Sequence, residues 1–307
     1  MTKIATRDSY GKAITQIVKE DKRVIVLDAD LSGSTKSGCA KDADPKRHLN
    51  MGIAESNMMS VAAGLAANGN TVFASSFAMF ATGRAYEQIR NSIAYPKLNV
   101  KICASHAGLT VGEDGASHQT IEDISLMRGI PNMVVVQPVD DIEAMAAIKA
   151  VYKHDGPCYV RLGRAGVETI NTDDYEFELG KGKILREGKD IAILATGMMV
   201  MEALKAYDIL LEEGFNPTIV NIHTIKPIDK DLIINLSKTH NLFITCEEHS
   251  IIGGLGSAVS EVLSVNCPSK QIMIGIKDVF GESGTPLDLC EKYGLTYKQI
   301  VDAVKNN

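Results

Sequence analysis

Hydrophobic positions along the chain alternate between two periods. Short β-rich runs recur at Val24–Leu27, Thr71–Ala74, Val100–Ala104, Val134–Gln137 and Cys158–Leu162. Between them the spacing turns helical. Tyr10, Ile14, Ile17 and Val18 mark one amphipathic helix, and Asp140, Asp141 and Glu143 open another with acids at its positive end. Alternation of this kind predicts parallel sheets covered by helices on both faces. It stops at Ala165–Leu179, a polar and acidic stretch that reads as a linker crossing the surface, and restarts with Ile191–Ala195, Thr218–Asn221, Leu242–Thr245 and Ile272–Ile276. The expected fold class is therefore α/β, with two three-layer α/β/α domains of mainly parallel sheet over residues 1–165 and 185–307, joined by a linker over 166–184.

One segment departs from the even spread of charge. Ser56 to Gly83 carries no charged residue, yet Ser, Asn, Thr and Gly recur too often for a membrane helix. Met58, Val61, Ala62 and Leu65 fall at helical spacing, while Met59, Ala63 and Ala66 make the opposite face apolar as well. Such a helix is expected to be buried all round, either in one large core or against a partner subunit.

Composition narrows the class. The 307 residues suggest two domains at about 150 residues each, with 45% hydrophobic and 23% charged residues, which excludes a disordered or membrane-spanning chain. A net charge of −6 without a basic block argues against nucleic acid as a partner. The six cysteines form no C-x-x-C pair, so reduced thiols are expected and no metal site on this chain. The charged N-terminal stretch lacks a signal-peptide core, which points to the cytoplasm.

Candidate chemistry gathers after the strands of the first half, where open parallel sheets place ligands. Asp28-Ala29-Asp30 follows the first run and continues into the small-residue loop Leu31–Ser34. Glu55 stands alone at the mouth of the uncharged segment: a dipole-favoured helix start, or a buried carboxyl able to share a proton. The loop SHAGLTVGEDGASHQ, residues 105–119, holds two histidines and two acids among its glycines, a density unusual for a mere connection. Gly253-Gly254-Leu255-Gly256 superficially invites a phosphate loop, but no Lys follows at the required spacing, so close packing is expected there. His249 is expected to be a structural hydrogen-bonding residue.

MGIAESNM, SSFAMF and GEDGASHQ, in that order and spacing, resemble the pyrimidine-binding domain of transketolase. ATRDSYGKAI and DADLSGS resemble that family's start, and EEHSIIGGLGSAVSEVL with FGESGTPLDLCEKYGL resembles the C-terminal domain shared by transketolases and deoxyxylulose phosphate synthases. The resemblance covers essentially the whole chain but only the second half of a full-length transketolase. It implies thiamine diphosphate chemistry, in which a carboxyl on the pyrimidine nitrogen favours the tautomer that forms the thiazolium ylid. It makes Glu55 that carboxyl, and Phe77 and Phe80 the aromatics against the pyrimidine. It sets Asp30 near the thiazolium, and His106, Asp114 and His118 in the substrate channel, with His106 and His118 as catalytic candidates beside Glu55. Arg7, Ser34 and Arg164 match the positions that hold a sugar phosphate, a task suited to the planar guanidinium fork. Two departures stand out: Gly83 where the family often has a third aromatic, and Asn50 where it often has His.

The family's diphosphate motif, G-D-G followed by Asn, is missing: Glu113-Asp114-Gly115 and His154-Asp155-Gly156 lack the first Gly and the trailing Asn. The resemblance therefore implies an N-terminal partner subunit that binds the diphosphate through Mg²⁺ or another divalent ion, self-association within a heterotetramer, and phosphorylated sugars of the pentose phosphate pathway as substrates. Two rivals within the same enzyme class are a deoxyxylulose phosphate synthase-like subunit and a 2-oxo acid dehydrogenase β-type subunit. His106 argues against the first, and the GEDGASHQ loop fits transketolase better than the second. A non-catalytic regulatory subunit is the reading from another class, weighed against by Glu55 and both loop histidines.

Overall fold

The computed structural model describes residues 3–307. The runs of the first half form a seven-stranded sheet in the order Thr224–Lys226, Val134–Val136, Cys158–Arg161, Val100–Ala104, Thr71–Ser75, Val24–Asp28 and His48–Asn50. All neighbours pair parallel except Thr224–Lys226, which comes from the second half and runs antiparallel along Val134–Val136. The second sheet has five strands, in the order Lys270–Ile276, His240–Ser250, Asp190–Ala195, Thr218–Asn221 and Lys183–Arg186, of which the last is antiparallel. Thr71–Ser75 and Val100–Ala104 are buried at every position, as strands covered on both faces must be.

Helix Thr6–Glu20 buries Tyr10, Ile14, Ile17 and Val18 and packs on helix Asp141–Lys153. Asp140 caps the latter, its Oδ1 accepting from the Glu143 N–H at 2.8 Å. Its Oδ2 accepts from the Ile170 and Asn171 N–H groups at 2.9 and 2.8 Å, which pins the polar connection to the same helix start. That connection is more than a surface linker: Gly166–Glu168 pairs antiparallel with Lys3–Ala5.

The uncharged segment is buried on one side by this chain itself. Helix Glu55–Ala67 turns Met58, Met59, Ala62, Ala63 and Ala66 inward, half-buries Val61 and Leu65, and leaves Asn57, Ser60 and Gly64 exposed. Residues 58, 59, 62, 63 and 66 span one broad face at 3.6 residues per turn, so within this chain the helix is buried on one side only.

Polar contacts lock the two halves together. Arg161 lies buried against Asp123, with Nε at 2.7 Å from Oδ2, and its NH2 donates to the Glu248 carbonyl at 3.1 Å. Glu248 Oε1 accepts from the Thr110 N–H at 2.7 Å. This close approach requires Gly108, whose φ is +82° and where a Cβ would sit 2.3 Å from the Glu248 carboxyl carbon. His249 is buried between halves as a hydrogen-bonding residue, with Nδ1 2.7 Å from the Ser250 carbonyl and Nε2 accepting from the Ser125 N–H at 3.4 Å. The glycine run before helix Leu255–Asn266 holds no phosphate cradle. Glu247 already fills that helix start, accepting from the Leu255 and Gly256 N–H groups at 2.7 and 2.8 Å. Among the described residues no helix is long and apolar enough to cross a membrane, and all six thiols are free.

Candidate functional site

At the carboxyl end of strand Val100–Ala104 the chain stays extended and bridges to Ser76–Phe77: Ser105 N donates to the Ser76 carbonyl at 3.2 Å, and Ala78 N to the Ser105 carbonyl at 2.7 Å. His106 then turns into the left-handed region at φ 58°, an uncommon conformation for a bulky residue. Its ring stacks on Phe77 with centroids 3.8 Å apart. One Arg7 guanidinium nitrogen reaches both His106 Nε2 at 3.1 Å and the Ser34 carbonyl at 2.9 Å. Arginine can only donate, so Nε2 is the acceptor and the proton sits on Nδ1, which faces Ser105 Oγ at 2.9 Å. Burial, reinforced by Arg7, Arg164 and His118, pulls the His106 pKa down to about 3, so the ring is neutral at neutral pH.

Arg164 lies close enough to lower the proton affinity of both Arg7 and His106. It donates to the Val111 carbonyl and to Glu113 at 3.2 Å, with Asp114 at 3.9 Å. This end of the site therefore holds two guanidinium groups and a neutral imidazole, a field suited to an anion. The loop carrying these groups is clamped by Gln119, whose buried amide donates to the carbonyls of Leu109, Gly112 and Glu282.

From Phe77 an aromatic path leads to Glu55. Phe80 lies 6.0 Å from Phe77, and His118 meets it edge-on at 5.3 Å. Phe80 opens a π-helical turn, Phe80–Arg84, a form of backbone frequent at functional sites. Arg84 closes the turn; it lies over the Phe80 ring at 5.2 Å and donates to Glu55 Oε2 at 2.9 Å. Glu55 is 1% exposed, at the first position of its helix. Arg84 takes Oε2, and no other hydrogen bond to this carboxylate forms among the described residues, which leaves Oε1 for a ligand.

The structure thus brings Arg7, His106, Phe77, Phe80, His118 and Glu55 into one continuous strip, with Arg164 and Asp114 beside its basic end. Ser34 contributes its main-chain carbonyl to that end. Asp30 stands apart, at φ 63°, exchanging hydrogen bonds of 3.1 and 2.9 Å with Asn50. The same Asn50 amide oxygen accepts from the Gly52 N–H at 2.9 Å, so Asn50 ties Asp30 to the turn before Glu55. Gly83 is exposed, and a side chain there would meet the Met79 methyl at 2.6 Å.

Arg84 and Gln119 escape sequence reasoning, yet Arg84 left a signal. Glu55 and Arg84 are the charged residues that flank the uncharged stretch on its two sides, and they pair with each other.

Residues 2–168 match the transketolase pyrimidine-binding domain and residues 180–300 the transketolase C-terminal domain. The chain is 51% identical over 301 residues to a putative transketolase C-terminal section of Methanocaldococcus jannaschii, covering 97% of this chain and 94% of that protein. It is 43% identical to a 6-deoxy-6-sulfo-D-fructose transketolase subunit of a Clostridium species, covering 97% and 92%. A solved split-gene transketolase, described as an inactive β4 tetramer, superposes with a TM-score of 0.93 at 51% identity over 99% of this chain and 98% of that one. The chain belongs to the thiamine diphosphate-dependent transketolase family, as a C-terminal section of the split type.

Proposed function

We propose that the chain is the C-terminal subunit of a two-subunit transketolase that moves a two-carbon ketol group from a ketose phosphate to an aldose phosphate. The observation that carries this reading is the strip itself, with a buried carboxylate and two aromatic rings at one end and two arginines with an imidazole at the other. Bound thiamine diphosphate supplies the carbon nucleophile. Glu55 fits the pyrimidine end, since its Oε1 is free to share a proton with a ring nitrogen while Arg84 fixes Oε2. Phe77 and Phe80 offer flat apolar faces to that ring, and Asp30 belongs to the thiazolium side. Arg7, Arg164 and Ser34 grip the substrate's phosphate, while His106, His118 and Asp114 orient its hydroxyls and pass protons.

The diphosphate end has no such fit. The sequence lacks the Gly-Asp-Gly and Asn motif. We therefore assign the divalent ion and the diphosphate to an N-terminal partner subunit, in a heterotetramer. A coupled assay tests the reading. The purified chain with thiamine diphosphate and Mg²⁺ should be inert and gain ketol transfer on mixing with the N-terminal subunit; turnover without it refutes the assignment. The sulfofructose relative raises a second anion for the basic end, because a sulfonate presents the same three oxygens with one charge fewer. Parallel assays with phosphorylated and sulfonated ketoses separate the two, and two arginines favour the dianion.

A further inference from the structure

The basic end of the strip rests on a hydrogen-bond relay that begins at Ser105. This residue is fully buried at the end of strand Val100–Ala104. Its N–H donates to the Ser76 carbonyl and its own carbonyl accepts from the Ala78 N–H, so the main chain holds it on both sides. Its Oγ lies 2.9 Å from His106 Nδ1.

The imidazole is held in one pose. Phe77 stacks on its face, Ser105 Oγ meets Nδ1, and Arg7 Nη1 meets Nε2 at 3.1 Å. A ring turned over would set carbon atoms against both polar partners. A neutral imidazole carries one N–H, and Arg7 can only donate, so Ser105 Oγ accepts from Nδ1 and Nε2 is bare. The opposite tautomer would confront the guanidinium with a second donor.

The relay also decides which edge of Arg7 stays open. Nη1 has two protons, of which the Ser34 carbonyl takes one at 2.9 Å and His106 Nε2 the other. Nη2 makes no hydrogen bond among the described residues, and Nε is buried there without a partner. Native structures seldom leave a buried donor unpaired. The free Nε–Nη2 edge offers two parallel N–H groups, the arrangement that grips an oxyanion through two oxygens. His106 turns its bare nitrogen to Arg7, so its service at this end is to aim the guanidinium.

We propose that Ser105 is a positioning residue for the substrate's anionic group: by holding the His106 proton on Nδ1, it makes Nε2 the acceptor that fixes Arg7 with its Nε–Nη2 edge open to the ligand. The consequence for substrate rests on the sugar-phosphate reading above; the tautomer does not.

Nitrogen NMR on the full chain reads the tautomer directly, because a protonated ring nitrogen and a bare one resonate far apart. Wild type and Ser105→Thr, which keeps the hydroxyl, should carry the His106 proton on Nδ1. Ser105→Ala should move it toward Nε2. In the enzyme assembled with the N-terminal subunit, Ser105→Ala should raise KM for a phosphorylated acceptor about tenfold, the scale of one hydrogen bond, with a smaller change in kcat. Ser105→Thr should restore the wild-type KM, and melting curves verify that each variant folds. A wild-type proton on Nε2 overturns the relay whatever the variants do, and so does a tautomer unmoved by Ser105→Ala. A tautomer that moves without a rise in KM, or a rise that Ser105→Thr shares, overturns the link to Arg7. An equal rise with an unphosphorylated acceptor overturns the anionic ligand and the sugar-phosphate reading with it. The NMR result needs no turnover, so a failed relay and a failed enzymatic reading give different results.

Discussion

Arg7→Ala examines the basic end of the strip most directly, because one guanidinium nitrogen holds both the Ser34 carbonyl and His106 Nε2. In the apo chain the substitution leaves Nε2 without its donor and removes a positive charge beside the imidazole. A hydrogen bond from a charged group contributes about 1.5–3 kcal/mol, so losing one from a bound phosphate should raise KM roughly 10- to 150-fold. The kcat should change less, since Arg7 lies at the end of the strip remote from Glu55 and acts on binding alike before and during reaction. The companion readout needs no partner subunit. Burial is the main reason His106 titrates near 3, and Arg7 is the second. Without Arg7 the protonated ring is penalised less, so the His106 imidazole should titrate at higher pH in an NMR experiment on the isolated chain. Two results would refute the reasoning: a loss of equal size with an unphosphorylated acceptor, or a His106 titration unmoved by the substitution.

Other perturbations follow from the same geometry. Glu55→Gln should retain the fold, because Arg84 can still donate to the amide oxygen, and should lower ketol transfer by ~10²–10⁴, the usual scale of a proton-transfer group; full activity in the reconstituted enzyme would remove Glu55 from the reaction. Glu143 is buried against Tyr175 and Asn221, and burial raises its pKa from 4.5 to about 7. Below pH 4.5 the proton is bound in both states; between 4.5 and 7 the folded chain holds one that the unfolded chain has released. This contribution to stability is thus complete at low pH and lost as pH rises through 7. Melting temperatures at pH 5 and 8 should show wild type falling relative to Glu143→Gln at the higher pH, and a constant difference would contradict it. Glu247→Ala uncaps helix Leu255–Asn266 by deleting both acceptors of its first N–H groups, at a cost of about 1–3 kcal/mol in a denaturant melt; a change under about 0.5 kcal/mol would mean that water serves as well.

Strands buried on both faces were readable because sequence alone shows a continuous apolar run, and Thr71–Ser75 and Val100–Ala104 lie where the runs predict. The short pieces were not. Lys3–Ala5, Gly166–Glu168 and Thr224–Lys226 each have three residues, too few to display a period, and their pairing partners lie far along the chain. Which face of helix Glu55–Ala67 meets its own sheet was hidden for a related reason. Alanine and methionine look apolar from any side, and the Ser60 and Gly64 face reads as exposed only once the sheet fixes which side is inward. Within the site, family resemblance singled out Glu55, Phe80 and His106, whereas Arg84 is 29 residues from its partner and enters through a π-helical turn no simple periodicity encodes.

One consequence of the geometry concerns what the chain can hold by itself. Glu55 is buried by its own helix and by Arg84, and Phe77 is stacked on His106 by the bridge at Ser105, so the end of the strip proposed to hold the pyrimidine is built by this chain's own packing. On the proposed reading, the diphosphate end is not. The isolated chain should then bind thiamine and thiamine diphosphate with similar affinity, because the ring and the carboxylate are common to both and the diphosphate finds no metal-bearing wall. Addition of the N-terminal subunit with Mg²⁺ should separate the two ligands by at least tenfold, since contacts to a charged group contribute about 1.5–3 kcal/mol each. Calorimetry with both ligands decides it. A strong preference of the isolated chain for thiamine diphosphate would show that this polypeptide carries a diphosphate grip of its own, and the division of the cofactor between two subunits would have to be abandoned.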